Sequence, residues 1–422
     1  MEPTFDRKIL HCDCNSFFAS VELLSRPELR EMPVAVGGDS STRHGIILAK
    51  NEPAKRYGIK TAETIWQAKK KCPDLIILSP HYDLYSEYSK VINGIYLEYT
   101  DLVEPFGIDE SWLDVTNTYR FFASSAKELA DGLRERIKRE TGLTISVGVS
   151  FNKIFAKLGS DYKKPDATTV IDKDNYQTLV WELPVQEMIF IGASTQKTLN
   201  EMGIRTLGEL ARVSRETLTS RFGRHGEDLY INANGLDTSP VKSYYGSHRE
   251  RKSVGHGKTF SRDLTELGDI KAALHSLSEE VGTRLRRYGL YANGVRLTVR
   301  EPDFTTYTRQ EKLESTCLTE PIYRMAVKLY EEHRNKERPV RALTVTAIDT
   351  SSEMRAVQTS LFEIEGASLA SEEELEKQEK LQESIDRIRA KFGKDSLKSG
   401  SVITKKELES RKHDPFGDKR SK

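Results

Sequence analysis

Hydrophobic and polar positions change period several times along the chain, and each change marks an element. Lys8-Ile9-Leu10-His11-Cys12-Asp13 reads as a short strand ending in an acid, and Cys14 to Leu24 continues at helical spacing through Phe17, Val21 and Leu24. Pro33 to Val36 and Gly45 to Ala49 read as strands, and Glu52 to Tyr57 and Thr64 to Lys71 as helices. Tyr82 to Tyr99 carries Leu84, Tyr88, Val91 and Ile95 at helical spacing. Val103 to Pro105 and Trp112 to Val115 read as the strands of a hairpin, with Asp109-Glu110 at or beside its bend. Ala123 to Glu140 places Ala126, Leu129, Leu133 and Ile137 on one stripe, Thr144 to Val149 is a strand, and Asn152 to Tyr162 is a helix ending at Lys163-Lys164-Pro165. Strands and helices do not alternate regularly, so an α+β fold is expected: an antiparallel or mixed sheet with helices packed on one face.

The pattern then turns helical from Glu187 to Phe222, punctuated by glycines at 192, 203 and 208. Gly192-Ala193-Ser194 suggests a hairpin between helices whose free N–H groups suit a phosphate. Gly235 to Pro240 closes this region. Further on, Ile270, Leu274, Leu277, Val281, Leu285 and Tyr288 mark an amphipathic helix. With strands at Lys252–Arg262, Asn293–Glu301, Thr305–Leu318 and Val340–Ile348 and a helix at Tyr323–His333, the order is β-α-β-β-α-β, a plausible independent domain. After Asp349 the chain becomes polar, with Gln358-Thr359-Ser360-Leu361-Phe362 isolated in it. Glu372 to Phe392 reads as a charged helix with a narrow apolar stripe, Leu381, Ile385, Ile388 and Phe392. The remainder to Lys422 is expected to be disordered or to fold on a partner.

Composition narrows the class. The 422 residues are too many for one core, so about two to four domains are expected. No apolar run approaches the ~20 residues that span a bilayer. The first residues lack the basic-then-apolar form of a signal peptide, and Cys12, Cys14, Cys72 and Cys317 form no C-x-x-C pair. A cytoplasmic, nucleoid-associated monomer is the expectation. The net charge of +1 hides an asymmetry: residues 1–240 carry 30 Lys/Arg against 34 Asp/Glu, and residues 241–352 carry 20 against 15. A mildly acidic half joined to a basic module suits a metal site beside a surface that holds a polyanion.

The chemistry concentrates in Asp109, Glu110 and Asp114. Adjacent acids aimed at one spot repel unless a cation lies between them, which points to a hard divalent metal; a solvated acidic turn is the alternative. Asp13, at a strand-to-helix junction, is either a further ligand or a capping residue. Lys50, Lys55, Arg56, Lys60, Lys69, Lys70 and Lys71 are mostly solvated faces, with one or two near a cleft able to meet phosphate, and Lys164 before Pro165 reads by itself as a loop end.

Several ordered stretches resemble the Y-family (translesion) DNA polymerases, closest to the bacterial polymerase IV group, over residues 7–362. They are Asp13 to Glu22, Ile108 to Val115, Ser146 to Ser150, Phe155-Ala156-Lys157 through Lys164-Pro165, and Lys252 to Gly255. The resemblance implies a right-hand fold: palm at 1–16 and 80–170, fingers at 17–79, thumb at 171–240, a basic linker at 241–251, a little finger at 252–352 and a tail at 353–422. It implies two Mg²⁺ ions held by Asp13, Asp109, Glu110 and the Cys14 carbonyl. It also implies Phe18 as a steric gate against ribonucleotides and Lys164 on the incoming triphosphate; both Phe17 and Phe18 could instead be core, and Phe17, four residues before Val21, is read so. Gln358, Leu361 and Phe362 resemble the peptide that docks on the sliding clamp. Primer-template DNA and deoxynucleoside triphosphates are the implied partners, with Gly192, Lys242, Arg249, Arg251, Lys252, Lys258 and Arg262 toward DNA. Low fidelity follows from the same resemblance, and no stretch resembles a proofreading exonuclease. The chain departs from the pattern where the finger helix usually shows Tyr and Arg: Glu52 and Lys55 stand there, and Glu52 is expected to pair with a neighbouring lysine. The thumb hairpin reads Phe190-Ile191-Gly192 in place of Gly-x-Gly. A palm-type nucleotidyl cyclase and a non-catalytic, clamp-bound relative are the alternatives.

Overall fold

The fully buried first strand, β1 (Ile9–Cys14), is followed by α1 (Phe17–Leu24), β2 (Val34–Gly37), β3 (Ile47–Lys50), α2 (Glu52–Arg56), α3 (Ile65–Lys71) and β4 (Ile76–Leu78). Then come α4 (Tyr82–Leu97), β5 (Val103–Pro105), β6 (Glu110–Asp114), α5 (Ala126–Thr141), β7 (Ile145–Ser150), α6 (Lys153–Tyr162) and β8 (Thr168–Ile171). The computed structural model describes residues 5–38, 45–245, 251–334, 338–355, 372–393 and 396–397. The peptide 358–362, Arg249 and the tail beyond 397 lie outside the described residues.

Five strands form one sheet in the order β5-β6-β1-β7-β8, antiparallel except for the parallel pair β7–β8. Side chains alternate across it. Leu10, Cys12, Cys14, Leu113, Ile145, Val147 and Val149 enter a core with Ile92 and Ile95 of α4 and Leu129, Leu133 and Ile137 of α5. Burial of each such aliphatic side chain contributes about 2 kcal/mol. The opposite face is also covered, by α6, which corrects the expectation of helices on one face only. The reason is Gly148: a Cβ there would stand 1.9 Å from the Ala156 carbonyl oxygen and 2.4 Å from the Ser160 nitrogen. Backbone thus packs directly on backbone, and α6 lies close over β1, β7 and β8. A smaller sheet, β3-β2-β4, encloses Ala35, Ile47, Ala54, Ile65 and Ala68 with α2 and α3.

The helical region from 187 to 222 is broken more often than the sequence suggested. It comprises α8 (Ala193–Glu201), α9 (Leu207–Arg212) and α10 (Arg215–Phe222), preceded by α7 (Tyr176–Val180) and followed by α11 (Arg224–Ala233). Gly208 does not punctuate it. It lies within α9, where a Cβ would meet the Trp181 carbonyl oxygen at 2.9 Å.

Residues 5–38 and 46–245 belong to one compact unit, and those from 251 onward to a second. The second contains β9 (Ser253–Leu264), α12 (Leu267–Arg287), β10 (Ala292–Arg300), β11 (Thr306–Thr316), α13 (Thr319–His333), β12 (Val340–Ile348) and α14 (Glu372–Phe392). Its antiparallel sheet has the order β11-β10-β12-β9. Val295, Leu297, Val299, Leu343, Val345 and Ala347 pack against Leu274, Leu277 and Val281 of α12 and Ile322 and Leu329 of α13. α14 docks by its polar face: Arg286 Nε meets Asp386 at 2.7 Å and Arg389 meets Glu279 at 2.8 Å. Of its narrow apolar stripe, Leu381, Ile388 and Phe392 are exposed.

Because Gly148 touches only backbone of α6, Gly148→Ala is expected to destabilise the first unit by about 3 kcal/mol, the upper range for overpacking. Urea unfolding followed by tryptophan fluorescence checks this, and an unchanged midpoint would contradict the close packing described.

Candidate active site

The register of two strands gathers the acids. β1 pairs with β6 so that Asp13 lies opposite Glu110. Directly paired residues share a face, so both carboxylates emerge on the α6 side of the sheet. Asp109 ends the turn before β6, held there by the Cys14 N–H, which donates to the Asp109 carbonyl at 2.9 Å. Asp114 stands apart at the strand end, 3.6 Å from Arg7 and accepting from Thr116, so the six-residue trio contributes two acids and not three.

α6 supplies the opposite charge. Asn152 caps it, accepting from the Phe155 N–H at 2.8 Å, and Lys153, Lys157 and Asp161 then fall four residues apart along one face. Lys157 Nζ lies 2.8 Å from Asp13 Oδ2, 2.8 Å from Glu110 Oε2 and 3.2 Å from Asp161 Oδ2. Lys164, just beyond the helix, reaches Asp13 Oδ2 at 2.8 Å and Asp161 Oδ1 at 2.5 Å. Asn15 ties this loop to β1, accepting from the Asp166 N–H at 2.9 Å while donating to Ser146 Oγ at 2.8 Å.

Burial and the neighbouring Asp13 and Glu110 charges push the Asp109 carboxyl up to about 6. Burial works the same way on Glu110, but His11 and Lys157 outweigh it and hold that carboxyl down at about 2. Burial disfavours the charged form of Lys157, yet Asp13, Asp161 and Glu110 together raise its pKa. Fully buried His11 is shifted down by desolvation. The Ser160 hydroxyl donates to the Lys157 carbonyl, and His11 lies between them and Glu110, with Nδ1 2.9 Å from Ser160 Oγ and Nε2 3.4 Å from Glu110.

His11, Asp13 and Glu110 offer ligand atoms within 4.8 Å of one another. Two carboxylates on one face, with Asp109 beside them, form a hard oxygen donor set that suits a divalent cation better than imidazole does. Lys157 and His11 were not singled out in the sequence. A lysine at i and i+4 on a helix is indistinguishable there from a solvated one until the packing of α6 is known.

The other expected residues are dispersed. Phe17 is core, as expected, and Phe18 stacks on Tyr85 with centroids 4.1 Å apart. Lys55 is paired with Glu52 at 2.5 Å, and Ser16 Oγ approaches the same carboxylate at 3.4 Å. Gly192 caps α8, beside exposed Phe190. Lys242 donates its backbone N–H to Glu104, which also holds Lys153 at 2.7 Å. Arg251 lies over the Tyr288 ring and Lys252 is exposed. Lys258 is opposite buried Leu343, on the edge strand β9 and toward its helix-covered side, and Arg262 meets Asp269 at 3.0 Å. The uncovered face of that sheet instead carries Arg296, Thr298, Arg300 and Thr344, which only strand parity could have revealed.

Three family models match the chain: the impB/mucB/samB family over residues 12–161, its C-terminal domain over 251–361, and the DNA polymerase-iota thumb domain over 190–237. The DNA polymerase IV of Acetivibrio thermocellus is 44% identical over 94% of this chain and 98% of that protein. The DNA polymerase IV 1 of Bacillus subtilis is 36% identical over 96% and 95%. A solved Y-family DNA polymerase chimera matches with a TM-score of 0.73 at 26% identity, covering 81% of this chain and 98% of that one. Similarity that runs almost end to end, through both units and across the strands bearing Asp13 and Glu110, places the chain in the Y-family of translesion DNA polymerases, alongside the bacterial DNA polymerase IV enzymes.

Proposed function

We propose that the chain extends a DNA primer through two Mg²⁺ ions held by Asp13, Asp109, Glu110 and the Cys14 carbonyl, at low fidelity and without proofreading. The in-register pair Asp13–Glu110, backed by Lys157, is the observation that carries this reading. The ions, when bound, stabilise charge on the attacking 3′-oxygen and on the departing pyrophosphate. The chain's own contribution is positioning and charge: Lys164 stands where it can turn from Asp13 to the triphosphate, and α6 keeps the carboxylates in place from beneath. Phe18 forms the wall against a 2′-hydroxyl. Lys55, engaged with Glu52, supplies at most a weak contact to phosphate. Duplex DNA is held by Gly192 of the thumb, by Lys242, Arg249, Arg251 and Lys252, and by the uncovered sheet face with Arg296 and Arg300; Lys258, on the helix-covered side, and Arg262, paired with Asp269, are left out of that surface. Gln358, Leu361 and Phe362 anchor a sliding clamp through apolar side chains set in a polar segment.

Primer extension decides the main claim. Wild-type protein with Mg²⁺ is expected to extend a primed template, and Asp109→Ala to lose at least about a thousandfold in rate, as removal of a charge-stabilising group does. A non-catalytic relative, which the Glu52–Lys55 pair would suit, leaves the primer unextended.

The Asp109 carboxyl carries a pH prediction. Its folded pKa of about 6 lies above the unfolded value, so its ionisation costs stability as pH rises from about 4 to about 6, while Glu110, at about 2, does not titrate in that window. Metal binding offsets that cost. Mg²⁺ is therefore expected to raise the melting temperature clearly above pH 6 and less below it; equal increments would contradict the assignment.

Deletion of residues 358–362 is expected to abolish clamp binding in a pull-down while distributive extension persists. Retained clamp binding would place the anchor elsewhere.

A further inference from the structure

Among the described residues, the most deeply buried carboxylate outside the acidic cluster is that of Glu22, 3% exposed on α1, one helical turn beyond Phe18. It accepts the Tyr85 hydroxyl at 2.5 Å and His81 Nδ1 at 2.8 Å through Oε1, and Arg26 approaches Oε2 at 3.3 Å. Tyr85 is fully buried on α4, and its oxygen also accepts the His81 backbone N–H at 3.1 Å. Both hydrogen-bonding capacities of that hydroxyl are thus spent on fixed partners. The Tyr85 ring in turn lies nearly parallel to Phe18, 11° between planes and 4.1 Å between centroids. Tyr82 closes on Phe18 edge-on at 6.0 Å.

A charge in this position is not needed for packing. Burying a carboxylate costs several kcal/mol before its partners offset the loss, and an apolar pair of the same shape is often as stable. What the carboxylate adds is direction. It fixes the para-oxygen of Tyr85, so the ring cannot tilt or slide, and a ring that cannot tilt gives Phe18 a rigid backing.

We infer that Glu22 is a positioning residue for sugar discrimination, acting through Tyr85 to hold the Phe18 ring in place. The inference rests on the proposed role of Phe18. A wall excludes a single hydroxyl only if it does not yield by about an ångström, since misplacement on that scale changes rates by orders of magnitude. Glu22 therefore acts on the incoming sugar at second hand, through two aromatic rings.

The test is single-nucleotide insertion with matched deoxy- and ribonucleoside triphosphates on a primed template, comparing wild type, Phe18→Ala, Glu22→Gln, Tyr85→Phe and the double variant Phe18→Ala/Glu22→Gln. The readout is the ratio of kcat/KM for the deoxy- over the ribonucleotide. Phe18→Ala is expected to lower the ratio most. Glu22→Gln and Tyr85→Phe are each expected to lower it about tenfold, the size of coupling between residues in contact, chiefly through a lower KM for the ribonucleotide. The double variant should discriminate no worse than Phe18→Ala alone. A purely structural role would lower both efficiencies together and leave the ratio as in wild type. An unchanged ratio in Glu22→Gln and Tyr85→Phe, with Phe18→Ala impaired, overturns this inference and leaves the gate standing. An unchanged ratio in Phe18→Ala overturns the gate itself and the inference with it.

Discussion

Like-charge repulsion at the end of two paired strands is the constraint on which the catalytic unit depends. Asp13, Asp109 and Glu110 are drawn together by register and by a turn, and water is partly excluded from them. Without compensation such a cluster would drive its own strands apart or hold protons. The compensation comes from α6, whose Lys157 contacts both Asp13 and Glu110, and from Lys164 just beyond it. That helix can approach closely because residue 148 lacks a side chain. The charge balance of this cluster is thus decided at a glycine in the middle of a neighbouring strand.

Much of this was legible in the sequence, and the part that was not has a common cause. Strand and helix positions followed from periodicity, and the β-α-β-β-α-β order of the second unit appeared in the structure with its helices on one face. The Asp13, Asp109 and Glu110 assignment came from motif resemblance, and the register explains why these residues meet. Which face a residue takes was harder. Lys157, on a helix of mixed character, drew no assignment because periodicity says nothing of what lies opposite. Lys258 and Arg262 drew attention as part of a basic run, whereas β9 turns Lys258 toward its helix-covered side and gives Arg262 to Asp269. Arg296 and Arg300, spaced apart in a strand, formed no run at all.

The same limit explains α14. An apolar stripe is the usual mark of a docking face. Here Asp386 and Arg389 make ion pairs with Arg286 and Glu279, while Leu381, Ile388 and Phe392 of the stripe stay exposed. Glu22 is a further case of buried charge used for orientation: a residue that hydropathy would place on the surface lies in the core because three donors meet it there. In both cases polar groups, not apolar ones, make the fixing contacts.

The central claim is that the Asp13–Asp109–Glu110 cluster is built to hold divalent metal. The most direct measurement is anomalous scattering from Mn²⁺ in crystals of the protein with primer-template and an incoming nucleotide. The account predicts two Mn²⁺ peaks ligated by Asp13, Asp109 and Glu110, with the Lys157 ammonium moved away from Glu110. Absence of peaks at these carboxylates, with Lys157 still bridging Asp13 and Glu110, would contradict it.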